Sequence, residues 1–185
     1  MSETFQIDHN RLFRNLEEAL KNDLASISVE ANGGHSILFV YNMEDDDEYI
    51  NEGKKRLPED KFRFIDMREA FSDYIKSIGG EKVFNEMYEN FGKEVYRSEN
   101  NAEDTFFEYL MNSISTVFEA GKSPVLVHTG TIYDMGFSNI NIMEDARVLC
   151  ARLPLIVFYP ATIEGETIKF LGKEIASRYR CIVVK

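Results

Sequence analysis

The chain has 185 residues, of which 44% are apolar, which suits one domain with a sizeable core and excludes an intrinsically disordered chain. Its formal net charge of -11, with Lys54-Lys55-Arg56 as the longest basic run, argues against direct nucleic-acid binding, because such a surface repels phosphate backbones. No apolar run approaches the roughly 20 residues that cross a bilayer, the start MSETFQIDHN has no signal-peptide pattern, and Cys150 and Cys181 lack the spacing of a zinc site or a redox pair, so a cytoplasmic protein with reduced thiols is expected.

In chain order, Asp8 is placed to cap a helix over 11–26, where Leu12, Leu16, Ala19, Leu20 and Leu24 form one apolar stripe. Gly33-Gly34 then breaks the chain. These glycines precede a strand instead of following one, and no Gly-Lys-Ser/Thr occurs, so they predict a plain turn and not a phosphate loop. Residues 36–41 are apolar throughout and predict a central strand. Five acids follow it, Glu44 to Glu48. They suit either oxygen ligation of a divalent cation or the first turn of a helix. Tyr49, Ile50 and Leu57 at helical spacing, and the absence of calcium-loop spacing, favour the helix. Pro58 closes it.

Residues 62–66 predict a second strand. Its last residue, Asp66, is placed as the N-cap of the next helix; a ribose-binding role would require a Gly-rich fingerprint upstream, which is missing. After Gly79-Gly80, residues 81–101 are polar, with Phe84, Met87, Tyr88, Phe91 and Tyr96 at helical spacing. They predict a mobile or peripheral segment, whose aromatic stripe is expected to pack on its own domain in preference to contacting a partner. The clearest helix covers 102–120, with Phe106, Tyr109, Leu110, Ile114, Val117 and Phe118 on one face and Gly121 as its stop.

Residues 123–161 organise the rest. Two short apolar runs, 124–128 and 155–159, do not alternate, which predicts strands buried on both faces. Between them lie a loop, 128–138, and an amphipathic run, 139–151, read as one helix with Cys150 in its apolar interior. The order predicts a parallel βαβ unit. Binding groups in such units collect beyond the carboxyl ends of the strands, here His128-Thr129-Gly130 and Tyr159-Pro160. A hairpin about Gly165 over 163–170 and a last strand over 179–184 complete the chain. The expected fold is a single α/β domain, 1–185, in three layers: a mainly parallel central sheet of about five strands with helices on both faces.

The candidate ligand- or partner-binding loop is His128, Thr129, Gly130, Tyr133 and Asp134. Two readings apply to His128. It is either a general base beside Thr129, Tyr133 and Asp134, or a hydrogen-bonded residue at the sheet edge that orders the loop. No nucleophile elbow occurs, and a nucleophile, base and orienting acid do not assemble from the pattern, so no catalytic residue, metal or cofactor is assigned.

One resemblance adds to this reading. The run 127–130 with Tyr133, the Pro-Leu-Ile-Val-Phe-Tyr-Pro of 154–160, the Phe-Leu-Gly of 170–172, Tyr179-Arg180 and the early Ile37–Asp46 stretch together resemble the BrxB family of bacteriophage exclusion (BREX) systems. The resemblance spans about 37–184 and is strongest in the last third. The chain departs from the family pattern at Asp134-Met135-Gly136-Phe137, where members carry Pro-Phe and a basic residue, and at Ala161, where they carry Gly. The resemblance implies a non-catalytic component of a prokaryotic phage-defence complex, working as a protein-interaction module. Its implied partners are other BREX components: the phosphatase-like PglZ protein, the methyltransferase or the ATPase. The alternative reading is a degenerate nucleotide-binding domain or small hydrolase with its site at 128–138, using His128-Thr129-Gly130 and Asp66.

Overall fold

A computed structural model describes residues 2–98, 104–165, 167–176 and 180–185. Along β1 (Ser36–Asn42), side chains alternate between two faces and both faces are apolar. Ile37, Phe39 and Tyr41 enter one core, and Leu38 and Val40 enter the other. A strand of this composition must be covered on both sides. The next elements supply the cover: α3 (Asp46–Arg56), then β2 (Phe62–Asp66), α4 (Met67–Ser77), α5 (Glu81–Phe91), α6 (Phe106–Glu119) and β3 (Ser123–Val127).

The second half adds α7 (Asn139–Met143), α8 (Ala146–Leu149), β4 (Leu155–Glu164), β5 (Thr167–Phe170), β6 (Glu174–Ile175) and β7 (Cys181–Val184). Five strands pair in parallel in the order β2-β3-β4-β1-β7, and β5 and β6 extend β4 as an antiparallel hairpin. β1 and β4 share the longest register, Ser36↔Leu155 to Asn42↔Ala161. β3 and β4 are parallel neighbours at Val125↔Ile156, as the βαβ reading of 123–161 predicts.

The two cores are the two faces of this sheet. One holds α3 and the N-terminal helices α1 (Glu3–Ala19) and α2 (Leu24–Glu30); the other holds α4, α6, α7 and α8. The chain is therefore a three-layer α/β domain with a mostly parallel sheet. Among the described residues, no helix is long and apolar enough to cross a membrane.

Four sequence expectations shift. The first helix starts at Glu3, because Ser2 Oγ accepts from the Phe5 N–H (3.1 Å) and caps it. Asp8 lies inside that helix and pairs with Arg11 at the surface (3.3 Å). The expected single helix over 11–26 breaks, and Asp23 caps a second one by accepting from the Ser26 N–H (2.7 Å). The amphipathic run 139–151 is two short helices, because Asp145 stops the first and caps the second by accepting from the Arg147 N–H (2.9 Å). Cys150, expected inside a helix, is exposed at the carboxyl end of α8.

The remaining segments follow their expected types. Residues 81–95 form α5 and a 3-10 turn, with Phe84 and Tyr96 packed onto the α4–α6 core; of the expected segment to 101, residues 99–101 lie outside the described residues. So does the start of the expected helix over 102–120, which is described from its Thr105 cap. β4 continues past Tyr159 to Glu164 before the turn at Gly165, and the last strand is described from Cys181. Tyr179 lies outside the described residues.

Two glycines are fixed by close approach. A Cβ on Gly34 would overlap the Arg180 carbonyl, so the turn before β1 can touch the chain before β7 only without a side chain. A Cβ on Gly53 would sit 2.7 Å from the Phe158 ring, so this glycine seats α3 on β4.

Candidate functional site

The carboxyl ends of β1, β2 and β3 converge on His128. The residue follows β3 in the left-handed region (φ 52°, ψ 42°) and is buried. Its Nδ1 lies 2.8 Å from Asp66 Oδ2 and its Nε2 lies 3.2 Å from Asp47 Oδ1, so each ring nitrogen faces a carboxylate oxygen. Asp66 is shared: its other oxygen accepts from the Arg68 N–H (2.9 Å) and thereby caps α4, as its place in the sequence predicts. Burial pushes the Asp66 carboxyl up. The Arg68 side chain and backbone hydrogen bonds, together with His128, outweigh burial and hold it below the usual carboxylate range.

The acidic run after β1 divides its work. Asp46, Asp47 and Glu48 occupy the first turn of α3, as the helix reading predicts. Asp45 is buried and accepts from the Ser2 N–H (2.8 Å) and hydroxyl, tying the amino end of α1 to the sheet edge. Asp46 accepts from the Tyr41 hydroxyl. Burial holds the Asp46 carboxyl above its usual range, and burial with the nearby Asp46 raises the Tyr41 phenol well above its own. Asp47 remains exposed on its outer side. Among the described residues, no cluster of three or more His, Cys, Asp or Glu side chains is arranged to hold a metal ion.

The five residues of the candidate loop do not form one site. Thr129 is fully buried, and its hydroxyl donates to the Phe158 carbonyl (2.7 Å), which locks the loop to β4. Gly130 packs under Leu171, whose side chain would lie 3.3 Å from a Cβ there. Tyr133 and Asp134 turn away from His128. Lys173 lies over the Tyr133 ring at 4.6 Å, and Asp134, in the left-handed region, accepts from Lys93 Nζ (2.6 Å). These last two line a separate cleft of about 360 Å³ between the loop and the β5–β6 hairpin.

Sequence reasoning missed Asp47 as a partner of His128 and Lys93 as a partner of Asp134. Each partner comes from a distant element, so no local spacing announces it. Asp66, which the sequence offers as a cap and as part of the alternative hydrolase site, does meet His128.

This geometry limits the chemistry. An Asp–His pair is the orienting half of a nucleophilic site. Here the outer nitrogen of the ring faces Asp47, and the adjacent hydroxyls are engaged: Thr129 with Phe158, and Thr131 with the His128 carbonyl (2.8 Å). Cys181 is buried, and burial pushes its thiol up to about 11, which makes it a poor nucleophile. No Gly-rich turn offers backbone amides to a phosphate at the end of β1, where the acidic run stands instead. Comparison with family models, curated proteins and solved structures finds no match.

Proposed function

We propose that this chain is a non-catalytic component of a BREX-type phage-defence complex and acts there as a protein-interaction module in the cytoplasm. The observation that carries the reading is the closure of His128 between Asp66 and Asp47, at the sheet edge where α/β domains place their reactive groups. A ring held this way orders the ends of three elements, and the neighbouring Thr129 and Thr131 hydroxyls are engaged elsewhere. The exposed carboxylates of Glu44 and Asp47 at the same edge, on a chain of net charge -11, favour a basic protein surface over a nucleic acid or a nucleotide. The resemblance to BrxB supplies the class of partner, with the phosphatase-like PglZ component first.

The test is co-expression of the tagged chain with the other components of such a system and measurement of binding to PglZ over a range of salt. Binding that weakens as ionic strength rises, and that falls further when Glu44 and Asp47 are replaced by Lys, is expected. Binding to none of the components at low salt would sink the reading.

A second reading rests on the Asp66–His128 pair, which has the separation of a base and its orienting acid. It makes the chain a degenerate nucleotide-binding domain or small hydrolase. A thermal-shift panel with ATP, GTP, NAD and divalent metals separates the two: a ligand at 100 times its dissociation constant adds about 2.7 kcal/mol of stability. A shift that disappears in His128→Ala selects the second reading.

A further inference from the structure

The cleft between the 133–139 loop and the β5–β6 hairpin is a second, unassigned place in the molecule. Its lining mixes rings, Tyr133, Phe137, Tyr159 and Phe170, with polar side chains, Ser138 and Asn141 among them. Tyr159 and Phe170 stack on each other at 4.6 Å. Asn139, at the start of α7, lines the same cleft. It is only 5% exposed, and its side-chain oxygen has no hydrogen-bond partner among the described residues. A buried amide oxygen left unpaired is costly, and such groups are rare unless something else satisfies them.

We infer that this cleft binds an uncharged planar heterocycle carrying an N–H donor, of the class of a nucleobase or nucleoside. Flat aromatic walls select a flat apolar body. A primary amide presents an acceptor and a donor side by side, and it meets a matching edge in which an amino group adjoins a ring nitrogen; Asn reads adenine in this way. The charges select against an anion. Glu174 and Asp134 stand at the mouth, and two cations there are already engaged, Lys93 with Asp134 and Lys173 over the Tyr133 ring. They do not select a cation either, because among the described residues the inner wall carries no carboxylate and a buried unpaired charge is costlier than a buried amide. The volume of about 360 Å³ lies in the range of small-molecule pockets and holds a nucleoside.

This inference does not depend on the assembly role, since a chain that docks no partner can still bind a heterocycle here. The test uses the whole chain. Saturation-transfer NMR and thermal shift are recorded with adenine, adenosine and cytidine, and with AMP as the charged control. Binding of at least one base or nucleoside is expected, with AMP weaker than adenosine. Asn139→Leu should lose about tenfold in affinity. It should unfold no earlier than the wild type, because the substitution removes an unpaired polar atom. Tyr133→Ala, at the partly exposed mouth, tests the same cleft without touching α7 and should weaken binding as well. Absence of binding to all four compounds overturns the inference, as does full affinity in both variants. Tighter binding of AMP than of adenosine overturns the assignment of an uncharged ligand.

Discussion

At the scale of the residue, the carboxylates show how one side-chain type is put to opposed uses at one sheet edge. Asp66 gains hydrogen bonds that favour its charged form, while Asp46 is held above its usual range by burial. The sign of each effect on stability follows from linkage. A carboxyl whose folded pKa is depressed stabilises the fold above its unfolded value, about 4, and that contribution is lost as pH falls through the lower folded value. Asp46 works the other way, and its protonation relieves a cost. Asp66→Asn keeps a capping side chain and removes the charge. The wild type should therefore be the more stable at neutral pH, and the difference should shrink as pH drops below about 4. Urea unfolding of both proteins at a series of pH values reads this directly, and a gap that stays constant across the series would rule the charge out as the source.

At the scale of the element, α7 and α8 are too short to hold themselves as helices in water, with five and four residues. Side chains fix them from outside. Arg147 reaches Glu108 on α6 through Nη1 (2.8 Å) and Nη2 (3.1 Å), and grips Asp145 through Nε and Nη2 (both 2.8 Å). The planar guanidinium spans both carboxylates at once, which a lysine ammonium cannot do. Arg147→Lys should cost about 1–2 kcal/mol. Faster amide exchange in 139–149 than in the sheet should accompany the loss; uniform exchange across the domain would count against Arg147 as the tie. The same pairing explains why the 139–151 run is not legible as two helices. Its apolar spacing is continuous; the break comes from the Asp145 cap, and the meeting of Arg147 with a residue 39 positions earlier fixes that cap from outside.

At the scale of the whole molecule, the sheet is closed on one side by β7, which pairs with β1 in parallel and sends Ile182 and Val184 into the α1–α3 core. The Gly34–Arg180 approach brings the starts of the two strands together. Deleting residues 181–185 would leave an edge of β1 unpaired, with apolar side chains on both faces, a pattern that invites edge-to-edge association. The truncated chain should elute from size exclusion as oligomers or aggregate. A monodisperse monomer of unchanged thermal midpoint would show that β7 is dispensable.

Much of this molecule is set by the order of its residues. Ser36 to Tyr41 and Leu155 to Tyr159 carry no polar alternation, so each must be a strand covered on both sides, and the helical stripes between strands supply the cover. The three-layer class, the parallel β3–β4 pair and the place of His128 at a strand end follow from that local periodicity, because a strand's faces and ends are properties of the strand. The partners of His128 are different in kind. Asp47 and Asp66 lie 81 and 62 residues away, and they arrive only because β2, β3 and β1 run parallel and end at one edge. The split of the 128–134 loop into an inward half on β4 and an outward half lining a cleft is likewise decided by the hairpin that packs beside it. Local spacing determines which residues share a face; only the packed sheet determines which faces meet.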